Sequence, residues 1–269
     1  LKCHYCGYSQ NPPTQCPACG STDIKMVGFG TEKIEEEIDL LFPKATVQRM
    51  DLDTTRSKHA YQRIINDFEV GMIDILVGTQ MVTKGLDFDN VGLVGVLNAD
   101  QMINFPDFRS LERSFQLMTQ VAGRAGRRHK RGLVVIQTYT PDHWVIQRVM
   151  ENDYHGLYAQ ENLERRNFHY PPYFRLVRVT IKHKDRHTAD VGIIELVNAL
   201  KESLGERVMG PETPYVSRIN NLYIRNLMVK IERKTSPKAV KTIIQEKINE
   251  IKLQPDYKSM RVVIDVDPN

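Results

Sequence analysis

A chain of 269 residues, 41% hydrophobic and 26% charged, can bury one large core or two modest ones. It has no apolar run of the ~20 residues that a membrane helix needs, and its first residues lack the layout of a secretory signal. We therefore expect a cytoplasmic protein with no membrane partner. The net charge of +4 does not by itself indicate nucleic acid, although the basic excess falls within residues 151–269.

The cysteines stand close to the start of the chain, in two pairs with the spacing of zinc knuckles: Cys3, Cys6, Cys16 and Cys19. A tight turn lets each pair aim two thiolates at one metal, and two pairs supply the tetrahedral sulfur shell that zinc prefers. Disulfides are the alternative, and a reducing compartment disfavours them. Because the chain starts with Leu1 and a cysteine pair follows at once, we expect it to derive from a longer protein.

Between residues 24 and 150, short apolar runs alternate with segments of helical periodicity. The runs predict strands at 24–27, 46–50, 73–77, 91–97 and 133–138. The periodic segments predict helices at 58–69 and 110–121, and an earlier helix that Thr31 caps and Pro43 ends. This alternation predicts a parallel sheet with helices on both faces.

Three segments of this region have features that suit phosphate binding beyond the ends of strands. Residues 28–31 are glycine-rich but do not complete a dinucleotide fingerprint. Residues 78–88 offer backbone N–H groups, a hydroxyl and a carboxylate, which would also fit an ordinary connecting loop. Residues 120–127 contain two arginines three positions apart, each with a planar fork of donors that matches a phosphate.

These three segments resemble motifs IV, V and VI of superfamily 2 helicases. Residues 106–117, the cysteine pairs and the sequence Tyr170-Pro171-Pro172-Tyr173 extend the similarity to the PriA family of bacterial replication-restart helicases. The resemblance implies a RecA-like second motor lobe. It also implies a parent that uses ATP and Mg²⁺ to unwind DNA from 3′ to 5′, recognises stalled or branched forks, and works with primosome loader proteins and single-stranded DNA-binding protein.

The same resemblance suggests roles for individual residues. Arg124 and Arg127 match arginine fingers that offset charge on the transferring phosphoryl group, a role worth ~10³ to 10⁵ in rate. The resemblance also matches Gln120 to the residue that orients this motif. Positions that face the nucleotide are Gly85 and Asp87, and positions that hold DNA phosphates are Thr31 and Thr79, with Lys84 either touching phosphate or merely solvated.

Two departures from the family limit what the chain can do alone. The sequence contains neither a phosphate loop nor an Asp-Glu-x-His box, so we expect no ATP hydrolysis without a partner lobe. The family carries four cysteine pairs for two zinc ions, and the pairs here resemble the last two, which serve different metals. They could form one new tetrahedral Zn²⁺ site or remain two half-sites.

After residue 150 the pattern changes, and the prolines at 171–172 mark a boundary. Strands predicted at 175–182, 215–219, 222–231 and 260–266, with helices at 188–204 and 236–251, give the βαββαβ order of a ferredoxin-like α+β domain. The domains are thus predicted as a zinc segment (1–23), a RecA-like lobe (24–150) and a C-terminal domain (151–269).

Basic residues with one aromatic cluster near a strand end and a hairpin of this last domain. The predicted DNA contacts are Arg178, Lys182, Arg218, Tyr223 and Arg225, with His183, Lys184 and Arg186 nearby. A charged sheet edge facing solvent is the alternative, and the family resemblance favours DNA.

Two other classes of function fit parts of the sequence. A zinc-bearing nucleic-acid-binding module without motor activity would explain the cysteines and the basic domain, but it leaves residues 120–127 without a role. An enzyme with a nucleotide cofactor would explain the alternating elements, but its phosphate fingerprint is missing.

Overall fold

A computed structural model describes residues 14–15, 20–22, 30–55, 57–79, 91–123 and 132–268. The chain divides into two compact units, one that spans Asp23–Gln160 and one that includes Glu161–Asn269. Within the described ranges, no helix combines the length and apolar character needed to cross a bilayer. Both units contain helices and strands, as the predicted mixture of α and β structure requires.

The first unit alternates short strands with helices, and the division between units falls inside its last helix. Its elements are α1 (Thr31–Leu41), β1 (Val47–Met50), α2 (Lys58–Glu69), β2 (Ile75–Gly78), β3 (Leu93–Val96), α3 (Ala99–Ile103), α4 (Ser110–Ala122), β4 (Leu133–Ile136), α5 (Trp144–Glu151) and α6 (Tyr154–Asn167). The sequence did not predict α3, which is too short for its periodicity to be recognised.

The described strands of this unit pair in parallel, as predicted. They form two separate pairs, β1 with β2 and β3 with β4, and the strand predicted at 24–27 lies outside the described residues. Met50, at the end of β1, is fully buried with apolar residues of α2. A second core forms where α3, α4 and α5 meet, around Met118 and Val145.

The second unit is an antiparallel sheet with two long helices. Its elements are β5 (Phe174–His183), α7 (Arg186–Leu204), β6 (Val208–Glu212), β7 (Arg218–Ile219), β8 (Leu222–Glu232), α8 (Pro237–Lys252) and β9 (Arg261–Val266). The strand order is β6-β8-β5-β9, and β7 pairs with the start of β8.

One face of this sheet is covered by α7 and α8. Val177, Val179 and Ile181 of β5 are buried there with Ile193 of α7 and Ile244 of α8. Because side chains alternate along a strand, the residues between them point to the opposite face. Because the helices cover one face, only the side chains on the opposite face of β5 and β8 remain available to a ligand.

The second strand of the sheet is not the one that the sequence predicted. We expected it at residues 215–219, but the strand that pairs along β8 is β6, and only Arg218 and Ile219 pair within the predicted range. β6 contains Gly210 and Pro211, residues that are uncommon inside strands. Proline is tolerated because β6 lies at the sheet edge, and the register shifts between Met209 and Glu212.

Two features at the margins of the sheet bear on function. β7 and β8 join through Asn220 and Asn221, both left-handed with φ of 49° and 60°, as a two-residue hairpin turn requires. At the other margin of the described sheet, β9 leaves Val263 and Ile264 46% and 37% exposed.

Candidate nucleic-acid interface

The carboxyl ends of β1 and β2 bring three polar side chains to one edge. Met50 pairs with Gly78 in parallel register, so Asp51 and Thr79 follow side by side where ligands of parallel sheets bind. Thr31, in the first turn of α1, reaches the same edge through a hydrogen bond to Asp51. The two threonines that the sequence predicted as phosphate contacts therefore lie at one edge, and Thr79 is exposed.

Asp51 joins α1 to the end of β1. Its Oδ2 accepts a hydrogen bond from the Thr31 hydroxyl at 2.6 Å and lies 3.2 Å from Nε of Arg49. Its Oδ1 accepts the backbone N–H groups of Asp53 (2.9 Å) and Thr54 (3.0 Å), which closes the turn that follows β1. Burial alone would raise the pKa of Asp51, but these hydrogen bonds and Arg49 outweigh burial and hold the pKa below its usual value.

This arrangement corrects the expected capping role of Thr31, whereas its predicted phosphate contact stays a prediction. Thr31 is not the N-cap: the cap position is Gly30, and no side chain caps α1 there. Because its hydroxyl donates to Asp51, it cannot donate the same proton to a phosphate. Any phosphate contact at this end of α1 would instead use backbone N–H groups, which a helix leaves without partners in its first turn.

The other predicted residues of this unit are described only in part. Gln120 is exposed in the last turn of α4. The remaining positions lie outside the described residues: Lys84, Gly85, Asp87, Arg124 and Arg127, as do Cys3, Cys6, Cys16 and Cys19.

In the second unit, basic side chains collect where β5 ends and where β8 and β9 begin. We call this region the basic end, and it comprises Lys182, Lys184, Arg186, Arg218 and Arg261. Lys182 and Arg261 are direct neighbours across β5 and β9, on the face that the helices leave open. Arg178, four positions before Lys182 and on the same face of β5, pairs with Asp265 at 2.8 Å and is therefore partly neutralised.

The start of α7 adds positive charge in an unfavourable place. Arg186 and His187 occupy its first turn, which contains no acidic residue, although the helix dipole favours anions there. Asp185 caps the helix, and its hydrogen bonds from the Thr188 N–H and hydroxyl lower the pKa of its carboxyl group. Apart from this capping carboxylate, the turn suits an anionic ligand.

The hairpin holds Arg218 in a fixed position. Its guanidinium carbon lies 5.0 Å from the centre of the Tyr223 ring, and its Nη2 donates to Asn221 at 3.2 Å. One face of Tyr223 is thus occupied by a cation of the same chain, and the tyrosine serves to orient Arg218.

Arg225 does not belong to this surface, contrary to the prediction. It points toward the helices, is 5% exposed, and donates through Nε to Asp190 of α7 and through Nη1 to the Ile224 carbonyl at 2.7 Å. Strand alternation explains the difference, since Arg225 lies on the face of β8 that contains Leu227 and Val229. Its role is therefore structural.

Sequence reasoning missed two residues of these sites. Asp51 is signalled by the run Asp51-Leu52-Asp53-Thr54, which is typical of a turn closed by an aspartate side chain. Arg261 gave no local signal, because only the pairing of β9 with β5 places it beside Lys182.

Comparison with known proteins gives two family matches that together cover most of the chain. Residues 22–129 match the helicase conserved C-terminal domain, and residues 166–269 match the primosomal protein N C-terminal domain. Over the full chain, identity is 42% to the replication restart protein PriA of Bacillus subtilis and 41% to that of Synechocystis. The chain belongs to the PriA family.

The PriA proteins are much longer than this chain. It spans 33% of the Bacillus subtilis protein, 32% of the Synechocystis protein and 36% of the Haemophilus influenzae protein, to which it is 35% identical.

The helicase match implies that the first unit is a RecA-like α/β lobe. The match to the primosomal protein N C-terminal domain begins in α6 and includes all residues of the basic end.

The Asp51 junction predicts an acid-sensitive contribution to stability. Asp51→Asn should lower the free energy of unfolding by about 1–3 kcal/mol at pH 7, because it removes the charge and one acceptor oxygen. Since the pKa of Asp51 is lowered on folding, this contribution is present above its unfolded pKa, and it is lost as pH falls below about 4. Urea unfolding at pH 7 and pH 3 measures it. Asp39→Asn, an exposed change in α1, serves as the control; equal losses at both pH values would contradict the prediction.

The Arg225–Asp190 pair predicts unequal effects of removing each partner. Asp190→Ala should cost about 3–5 kcal/mol, because it strands a buried guanidinium. Arg225→Met should cost less, since Asp190 is 37% exposed and keeps water and Arg186 as partners. Guanidinium-induced unfolding measures both, and the double variant should resemble Arg225→Met. A larger loss for Arg225→Met would show that the arginine contributes mainly through other contacts.

Proposed function

We propose that this chain is the C-terminal part of an ATP-dependent 3′–5′ DNA helicase that recognises stalled or branched replication forks and restarts replication by primosome assembly. Similarity along the whole chain to proteins named replication restart protein carries the proposal. The match to a helicase C-terminal domain supports a motor role for the parent in the cytoplasm. The primosome loader proteins and single-stranded DNA-binding protein are the proposed partners of that parent.

In this proposal, the first unit completes an ATP site on a neighbouring lobe. Arg124 and Arg127 act on the transferring phosphoryl group, Gln120 orients them, and Gly85 and Asp87 face the nucleotide. The edge formed by α1, β1 and β2 contacts the DNA backbone through Thr79, Lys84 and the backbone at Thr31. Support for this edge comes from the shared position of Thr31 and Thr79 and from the uncapped start of α1.

The second unit is proposed to bind DNA through its basic end. A ferredoxin-like arrangement for this unit is supported by its strand order and by two helices on one face. Lys182, Lys184, Arg186 and Arg261 would contact phosphates, with Arg178 on the same face of β5 as Lys182. The Arg218–Tyr223 pair lies at the hairpin, on the other side of the strands. Such contacts release counterions, so affinity would depend steeply on salt.

Zinc is proposed as a structural cofactor, on the spacing of the cysteine pairs alone. Cys3, Cys6, Cys16 and Cys19 would supply four thiolates to one Zn²⁺. Elemental analysis of the purified chain tests this proposal.

The motor role predicts the behaviour of the full-length parent. Exchange of Arg124 and Arg127 for alanine should reduce DNA-stimulated ATP hydrolysis by about 10³-fold or more, because charge on the phosphoryl group is no longer offset. A coupled spectrophotometric assay measures turnover, and Arg113→Ala in α4 is the matched control. An undiminished rate in the double variant would refute the motor role.

The basic end predicts a change in the salt dependence of DNA binding. Lys182→Gln with Arg261→Gln should reduce the slope of log affinity against log salt by about 2, since each phosphate contact contributes about 0.9. Fluorescence anisotropy with a forked oligonucleotide measures the slope. The control pair, Lys238→Gln with Lys241→Gln, removes the same charge from the start of α8, which follows the opposite end of the sheet. Equal changes in both pairs would argue for non-specific attraction.

A further inference from the structure

Between β6 and β7, residues 213–217 form a short segment at the edge of the sheet that exposes an aromatic ring. Tyr215 is 98% exposed. Its neighbours are held in place: Pro214 has a fixed φ, Val216 is half-buried, and the Ser217 carbonyl accepts the Ile224 N–H at 2.8 Å. A ring on a fixed backbone loses little entropy when a flat partner stacks on it.

This segment lies in line with the basic end. Ser217 bonds to Ile224 of β8, Ile224 pairs with Lys182 of β5, and Lys182 pairs with Arg261 of β9. Neighbouring strands are about 4.8 Å apart, so Lys182 lies two strands, or roughly 10 Å, from the segment that exposes Tyr215. An exposed ring beside a line of cations is typical of surfaces that hold single strands, where cations contact phosphates and rings stack on bases.

The other tyrosine of this region is less suited to stacking. Tyr223 is half-buried, and the Arg218 guanidinium lies over one face of its ring. A base would have to displace that cation or use the remaining face. Tyr215 requires no such displacement.

We propose that Tyr215 is a base-stacking residue, and that it makes the basic end select DNA with an unpaired base next to a duplex. This inference rests on the proposed DNA-binding function of the second unit. It adds a specificity to that function, because phosphate contacts alone do not distinguish an unpaired strand from a blunt duplex. A stacked base carries no sequence information of its own, so the selection is for structure rather than sequence.

The test compares two DNA probes with the 269-residue chain. One probe is a fork with unpaired arms and 2-aminopurine at the first unpaired position, and the other is a blunt duplex of equal length. Tyr215→Ala should weaken fork binding about 5- to 150-fold and abolish quenching of the 2-aminopurine by the protein. Duplex affinity should stay within about twofold. Tyr215→Phe, which keeps the ring, should behave as the unchanged chain does.

The control is Tyr139→Ala, which removes a tyrosine that is 93% exposed in the other unit. Thermal unfolding of each variant checks that the fold is intact. Unchanged fork binding in Tyr215→Ala, together with weakened binding in the Lys182→Gln, Arg261→Gln variant, would overturn the stacking role and leave the proposed DNA-binding function standing. Equal weakening of fork and duplex binding by Tyr215→Ala would also overturn it. Absence of salt-dependent binding to either probe by the unchanged chain would defeat both proposals.

Discussion

Coverage of one sheet face by α7 and α8 is the constraint on which the second unit depends. Alternate residues of β5 and β8 are committed to that core, so a polar side chain in the middle of these strands is either on the open face or paired within the core. Lys182 and Arg225 illustrate the two outcomes. Arg225 is the register partner of Ile181, the residue before Lys182; Lys182 lies on the open face, whereas Arg225 is buried against Asp190. A buried guanidinium is tolerated because a carboxylate and a carbonyl satisfy it.

The first unit depends on a different kind of constraint, a single carboxylate that connects two elements. Parallel register brings Asp51 and Thr79 to one edge, and Asp51 then ties the first turn of α1 to that edge. Arg49 lies among three carboxylates, those of Glu32, Glu35 and Asp51, and its single positive charge offsets part of their negative charge. The edge thus has a defined backbone geometry before any ligand arrives.

Much of this fold follows from periodicity in the sequence. The helix α2 was predicted with the bounds that it has, because apolar spacing and flanking residues agree there. The edge strand β6 was missed, since Gly210 and Pro211 suggest a turn and only pairing with β8 makes a strand of them. For the same reason, local sequence could not distinguish the half-buried Lys182, on the open face, from the buried Arg225, and it could not predict that Arg261 lies beside Lys182. The predicted nucleotide and zinc residues stay predictions; among them, Gln120 is described, and it lies exposed in the last turn of α4.

The position of Arg261 in β9 has a consequence for the solubility of Arg261 variants. β9 is a margin of the described sheet, and its exposed Val263 and Ile264 form a short apolar ladder that another chain could extend. Arg261 and Asp265 place a charge on either side of these residues, a pattern that disfavours the addition of another strand. An apolar replacement of Arg261 would therefore remove a cation from the basic end and a charge from this exposed edge at once, so a loss of solubility has to be separated from a loss of ligand affinity.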